Sequence, residues 1–460
     1  MTETHCTAAR LPGAPTRRGF LKRASGLAAA GIAPYFVPAS AFGADAPSNR
    51  ITLACIGVGN QGAAVMQRFL DLPGCQVVAV CDVNRASHGY KDDTQFLGRD
   101  VAKQTVEDFY AKKQGASAYR GCDAYVDFRE VLARAEVDAV TVCTPDHWHA
   151  AMTIAAAAAK KDVYCEKPLA LNIGQGRAMI DAARKHEVVV QTGSHERSNP
   201  IVRQACELVR NGYIGEVKRV VTNVGYHNKV GPGPGWKPMP IPEGFDYEMW
   251  LGPAPMAPYH QDRCLYNFRF NYDYAGGQVA NFGAHSNDMA QWGLGMDRSG
   301  PVEVECLHAE FLPAGSLFNA ATVTKFRCRY ATGVELLCQT DEQEVRCVFE
   351  GTEGRVEVEN KGKNFKTTPA SLADVTLRDE QLLHKSDNHQ QDFLECVKSR
   401  QEPAAPIEVG HSSAALCHLG NIAVRTGAKR LSWDPAAERF VGNDEANRYL
   451  NCDMRSPWQI

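Results

Sequence analysis

The sequence predicts an α/β chain: an N-terminal doubly wound parallel sheet, followed by an α+β unit built on a largely antiparallel sheet. Three observations carry this. An apolar run at 50–56 leads straight into Gly57-Val58-Gly59-Asn60-Gln61-Gly62, and a second run, 76–81, ends at Asp82, twenty residues after the last glycine. Strand and helix patterns then alternate as far as Thr192. Beyond residue 195, short alternating strands succeed one another between glycine-containing turns. The 460 residues allow two domains of roughly 150–250 residues each. Hydrophobic residues make up 44% and charged residues 22%, which fits neither a disordered chain nor a multi-span membrane protein. The net charge is −3, and residues 1–46 carry +3, leaving −6 on the rest. Such a chain has no basic footprint for nucleic acid.

Residues 1–46 read as an address. Thr16-Arg17-Arg18-Gly19-Phe20-Leu21-Lys22 precedes a small-residue apolar stretch, 24–42, broken by Pro34 and Pro38. This is similar to a twin-arginine export signal, cut after Ala41 or Ala46. The expected partner is the twin-arginine export machinery, and the expected location is periplasmic or otherwise exported. Two prolines in so short a stretch argue against a membrane span, so no stable insertion is expected after cleavage. Cys6 lies in this segment; the other 15 cysteines are scattered with no C-x-x-C, and read as small core residues such as Cys55, Cys143 and Cys165.

Residues 47–194 form the predicted dinucleotide-binding domain. Gly57 permits the tight turn, Gly59 lets the backbone approach a pyrophosphate, and Gly62 lets helix and strand pack closely. The phosphates would sit at the helix N-terminus, beside Asn60 and Gln61. Asp82 would accept hydrogen bonds from the adenosine ribose and repel a 2′-phosphate, favouring NAD over NADP; Arg85 nearby could instead receive that phosphate. A helix is expected at 128–135, a strand at 137–143, a loop at 144–149 and an Ala-rich helix at 150–159. A strand at 162–165, a helix at 176–186 and a strand at 188–192 complete the series. Ligands of such sheets bind beyond the carboxyl ends of the strands, which makes Thr144, Pro145, His149, Glu166, Lys167 and Gln191 further cofactor-binding candidates. His147 and His149 have no Cys or carboxylate cluster around them, so a helix-start or cofactor-edge role is expected and no metal.

At this point the chain resembles the Gfo/Idh/MocA oxidoreductases, from about residue 50 to about 434. The resemblance rests on G-V-G-N-Q-G (57–62), C-T-P-D-H-W-H (143–149), C-E-K-P-L-A (165–170) and G-A-H-S-N-D-M-A-Q-W (283–292). It implies catalytic roles for Lys167, beside the nicotinamide and the substrate hydroxyl, and for His285 as acid/base. The family's dehydrogenases usually read Asp-x-x-x-His, where this chain has Asn281-Phe282-Gly283-Ala284-His285. Asn281 can hydrogen-bond a substrate or orient the histidine, but it cannot stabilise imidazolium as an anion.

Residues 195–460 form the expected substrate-binding and oligomerisation domain, with strands at 216–226, 324–330, 334–338, 344–349 and 355–359. One polar sheet face, often an assembly surface in the family it resembles, suggests a homo-oligomer. A rigid irregular loop, 231–242, lies beside Tyr226 and Trp236 and has the length of a functional loop. Arg197, Tyr226, Trp236 and Asn281 are the substrate-binding candidates. On the helix after Gly283, His285, Asp288, Met289 and Trp292 share one face, with Met289 and Trp292 expected in the core. The leading expectation is an exported NAD-dependent oxidoreductase acting on a hydroxyl of a sugar or sugar-like polyol, with tightly held cofactor. The alternatives are a redox-neutral NAD-dependent glycosidase or lyase, and a non-catalytic sugar-binding protein retaining NAD.

Overall fold

The computed structural model describes residues 49–91, 94–226, 231–340 and 344–460; the expected signal segment lies outside them. Strand β1 (Ile51–Ile56) is buried except at Thr52, as a central parallel strand must be. In α1 (Asn60–Leu70), Val65, Met66, Phe69 and Leu70 recur at helical spacing and form the buried face. Then come β2 (Cys75–Cys81), α2 (Arg99–Gln114), β3 (Asp123–Tyr125), α3 (Phe128–Leu132), β4 (Ala139–Val142), α4 (Asp146–Ala158), β5 (Asp162–Cys165), α5 (Ile173–His186) and β6 (Val190–Thr192). The six strands are parallel in the order β3-β2-β1-β4-β5-β6. Strand order reverses between β1 and β4, which opens a crevice at that point.

Two helix starts differ from the sequence reading. The expected loop 144–149 is helical from Asp146, because Pro145 stands at the N-cap, where it has no backbone donor to lose. Helix α5 starts at Ile173, since the Asn172 side chain caps it by accepting from Gln175 N at 2.9 Å.

The second half contains α6 (Pro200–Arg210), β7 (Val217–Val224), α7 (Tyr247–Leu251), α8 (Gly277–Leu294), β8 (Glu303–Glu310), β9 (Val323–Arg329) and β10 (Glu335–Gln339). It continues through β11 (Val345–Gly351), β12 (Arg355–Glu359), β13 (Asn364–Thr368), α9 (His389–Ser399), α10 (Ile407–Thr426), β14 (Leu431–Asp434) and β15 (Arg439–Phe440). Its nine-stranded sheet runs β13-β12-β11-β7-β10-β9-β8-β14-β15, antiparallel except at β7–β10. Helices α6, α8 and α10 cover one face and build the core, which includes Met289 and Trp292. Helix α10 is buried nearly all round, so it lacks the one-sided period by which a helix is read from sequence. Helix α9 crosses back to the first sheet, where Phe393 packs edge-on against Phe69 and Tyr164. The loop 231–242 is irregular as expected, but it runs largely exposed over the surface.

Candidate active site

A cleft of about 510 Å³ opens beyond the carboxyl ends of β1, β2, β4 and β5. Its far wall comes from the second half: the 265–269 segment, Asn281 to His285 of α8, and Lys361 in the β12–β13 turn.

The glycine loop shapes the first half of the cleft. Gly57 has φ +78°, and a Cβ there would come within 2.7 Å of the Cys143 carbonyl. A Cβ on Gly62 would fall on the Gly57 carbonyl oxygen, so this glycine lets α1 pack on the turn. At Gly59 the obstacle is the Tyr90 ring, whose hydroxyl accepts from Asn84 Nδ2 at 2.9 Å. No side chain caps α1, which leaves its first N–H groups free to bind an anion. Asp82 closes the loop, accepting from Val58 N and Asn84 N at 2.8 Å each. Burial raises its pKa, against the pull of those two bonds and Arg99. Asn60 Oδ1 and Thr144 Oγ1 are buried without protein partners on the same cleft wall, and Pro145 lines it beside them. An uncapped helix start, an acid at the end of β2 and two unpaired polar atoms fit a dinucleotide. They would hold its pyrophosphate, its adenosine ribose and the polar groups beyond.

Side chains from both halves meet at the other end. Lys167 Nζ donates to Asn281 O at 3.0 Å and to Asn281 Oδ1 at 3.1 Å. Burial lowers its pKa to about 8; Glu166 opposes this, and Lys361 and Arg269 add to it. Asn281 therefore orients the lysine, and its own Nδ2 is buried without a partner. Glu166 bonds Gln61 Nε2 at 3.1 Å and His195 Nε2 at 3.3 Å. Burial would raise its pKa, but His195, Lys167 and Gln61 outweigh that and hold it at about 2. His285 Nδ1 lies 2.7 Å from Glu196 Oε2. Burial lowers the imidazole pKa to about 4 despite Glu196, with Lys167 and Lys361 adding to the effect. The ring is thus neutral near pH 7, Nδ1–H donates to the carboxylate, and Nε2 keeps its lone pair.

Glu196, which sequence reasoning missed, supplies the carboxylate that Asn281 cannot. Lys361 was missed too: it stands in a hairpin turn, 5.0 Å above the Phe282 ring. Burial lowers its pKa, against the attraction of Glu196 and Glu166. Arg269 and Asp146 also line this end, and burial raises the Asp146 carboxyl to about 6 against His149 and Lys167. Asp146 stands inside the C-T-P-D-H-W-H motif without being singled out there, and no sequence signal marked the other three.

Five expected contacts are corrected. Arg197 is 4% exposed and lies outside the cleft, bonding Asp288 at 2.9–3.1 Å and Asp297 at 2.8 Å. Its charge is spent on tying α8 to the 195–198 turn. Tyr226 has its ring exposed, outside the cleft, and offers only its carbonyl, to Gln278 Nε2 at 2.8 Å. Trp236 packs edge-on to His260 under Arg263, beside the Phe270–Leu317 cluster. Gln191 is turned away, donating to His389 O at 2.7 Å. His149 does not line the cleft; its ring bonds Pro168 O at 2.8 Å and Thr144 O at 2.9 Å. Two carbonyl acceptors require both ring nitrogens protonated. Burial opposes that charge, yet Cys165, Asp146 and the Pro168 carbonyl raise the pKa to about 10. His149 therefore braces the 143–145 turn against the Lys167–Pro168 turn. Among the described residues no three His, Cys, Asp or Glu side chains gather as a metal set.

Comparison with known proteins accords with this geometry. Residues 51–194 match a model described as an oxidoreductase family's NAD-binding Rossmann fold, and residues 199–460 match that family's C-terminal alpha/beta domain. Over 93 residues the chain is 41% identical to a myo-inositol 2-dehydrogenase of Thermotoga maritima, covering 20% of this chain and 28% of that protein. Over 183 residues it is 30% identical to an alpha-N-acetylgalactosaminidase of Shewanella oneidensis, covering 39% and 36%. The chain thus spans only about a third of the length of these curated relatives. The WlbA dehydrogenase from Bordetella pertussis, solved with NADH and UDP-GlcNAcA, shares the fold. Its TM-score is 0.57 at 18% identity, over 84% of this chain and 99% of that one.

Proposed function

The chain belongs to the Gfo/Idh/MocA oxidoreductase family, and from that premise we propose an exported NAD-dependent oxidoreductase acting on a hydroxyl of a sugar or sugar-like polyol. The observation that carries this is the meeting of Lys167, Asn281 and the His285–Glu196 pair at the end of the nucleotide cleft. A dinucleotide held there would supply the hydride acceptor for a carbinol C–H. His285 Nε2 takes the hydroxyl proton, and Glu196 stabilises the imidazolium that results. Lys167 has a third N–H left after its two bonds to Asn281, and donates it to the substrate oxygen as negative charge develops there. Asp82 favours NAD over NADP, since Arg85 is turned away to Glu243 at 3.3 Å. The sheet face opposite α6, α8 and α10, where Leu337, Val221 and Val348 stand in register between Arg327 and Glu357, would join copies of the chain.

The pH dependence of kcat/KM tests the proton assignments. With His285 as base and Lys167 charged, activity holds on a plateau between limbs near pH 4 and pH 8. The lower limb is protonation of the base; the upper is loss of the ammonium proton. A rate that instead climbs through pH 8 would make neutral Lys167 the base.

Export joins the chemistry to the address. A compartment without a pool of free NAD stalls an enzyme that releases NADH. The cofactor is therefore bound before export, kept, and returned to its starting state in each cycle. Denaturing the purified mature protein should release about one NAD(H), and not NADP(H), per chain, because retention over hours needs slow dissociation. An empty exported protein with weak cofactor affinity would overturn this.

One observation favours a second reading, redox-neutral glycoside cleavage. Beyond the His285–Glu196 pair the cleft holds Asp146, whose carboxyl is raised to about 6, alongside local similarity to an alpha-N-acetylgalactosaminidase. Release of aglycone from aryl glycosides, with no net NADH, distinguishes it from dehydrogenation.

A further inference from the structure

A second cavity, of about 320 Å³, lies behind the catalytic cleft, between the starts of α4 and α5, the end of α10 and the C-terminal segment 449–454. Its volume is at the lower end of the range for small-molecule sites, about 300–1,000 Å³. The two spaces are back to back: Asp146 lines the catalytic cleft and the next residue, His147, lines the second cavity. The C-terminal segment is held in place over it. Arg455 N donates to Pro253 O at 2.8 Å, and the Trp458 ring packs edge-on to Trp148 with centroids 4.6 Å apart.

The inner wall is rich in unused acceptors. His147 is 1% exposed; its Nε2 bonds Trp250 O at 3.0 Å, and its Nδ1 is buried without a protein partner. His418, 6% exposed, is held the same way, with Nε2 against Ala170 O at 2.9 Å. A carbonyl can only accept, so in both rings Nε2 carries the hydrogen and Nδ1 is a lone pair. Burial keeps both imidazoles neutral, lowering each to about 4. Gln175 reaches Cys452 Sγ at 3.5 Å with its Nε2, and its Oε1 is buried and unpartnered. At the rim stands Arg425, its guanidinium carbon 4.6 Å from the Tyr272 ring centroid and 4.3 Å from that of Tyr449. Among the described residues it forms no ion pair with a carboxylate.

We propose that this cavity is a second binding site, distinct from the catalytic cleft, for one small neutral polyhydroxylated molecule of monosaccharide size. Lone pairs on the inner wall require donors from the ligand, and Arg425 at the rim requires an acceptor. A hydroxyl is both. A carboxylate would face the imidazole lone pairs and the carboxylates of Asp273 and Asp453, and an ammonium group would face Arg425, so a neutral polyol fits best.

The test uses the full NAD-loaded protein, with D-glucose and myo-inositol as probes at up to 50 mM, and reads the thermal midpoint. Three variants are compared with the wild type: Asn281→Leu, which disables the catalytic cleft, and Arg425→Ala and Gln175→Met, which act only at the second cavity. A probe that fills the site should raise the midpoint by about 2 °C or more, by mass action on the folded state. That rise should persist in Asn281→Leu and fall by at least half in Arg425→Ala and in Gln175→Met. Arg425 is exposed, so truncating it opens no core, and the melting curve without probe checks that the variant is folded. A rise lost in Asn281→Leu but intact in the other two would place all binding in the catalytic cleft and overturn the proposal. No rise with either probe would leave the cavity to water and overturn it as well.

Discussion

Lys167→Ala should lower turnover by at least ~10²-fold while the thermal midpoint stays close to the wild-type value. The side chain reaches the cleft from the turn after β5, and among the described residues its only hydrogen-bond partners are the two oxygens of Asn281. Removing it therefore takes away the positive charge at the reacting oxygen without opening a core. Lys167→Arg should not restore the rate, because a planar guanidinium cannot place one N–H on the substrate while keeping both bonds to Asn281. The measurement is kcat on the best sugar substrate beside a melting curve. Near-normal turnover in Lys167→Ala would remove the lysine from the chemistry.

Arg197→Ala should have the largest effect on stability, a loss of about 3–5 kcal/mol, because it leaves the buried Asp288 carboxylate without its cation. Asp288 is 1% exposed and keeps only Ser413 Oγ, at 2.5 Å, while Asp297 retains Arg210 at 3.0 Å. Replacing both partners by apolar residues, Arg197→Met with Asp288→Leu, should cost less than the single change, since no unpaired charge remains inside. Denaturant midpoints of the three proteins measure this. An Arg197→Ala protein of normal stability that had lost only substrate affinity would return the arginine to the substrate site.

The parts legible in the sequence are those whose chemistry is local. Gly57 and Gly62 lie five residues apart, and their positions follow from one strand–turn–helix whose spacing fixes where a Cβ cannot fit. Asp82 follows from the next strand, and Lys167 from the turn after β5. His285 carries its own signature ten residues long. A continuous apolar run marked β1, and periodicity marked α1 and the alternating strands of the second sheet; periodicity failed for α10, whose burial on nearly every side leaves no period to read.

What only the tertiary structure decided is which distant groups face one another. Glu196 reaches His285 across 89 positions, and Lys361 enters the cleft from a hairpin turn, so neither leaves a trace in local spacing. Residue type misplaced Arg197, Tyr226 and Trp236, and position near a strand end misplaced Gln191 and His149. A polar or aromatic side chain suits a ligand and a buried partner equally well, and its direction is set by the elements packed around it. Arg197 turns to Asp288, and His149 to two backbone carbonyls, because in the interior an unpaired charge or donor costs more than a contact with ligand returns. The family's Asp is Asn281 here, and only the folded chain shows that its negative charge comes instead from Glu196. That acid bonds the imidazole at Nδ1, placed there by the turn that follows β6.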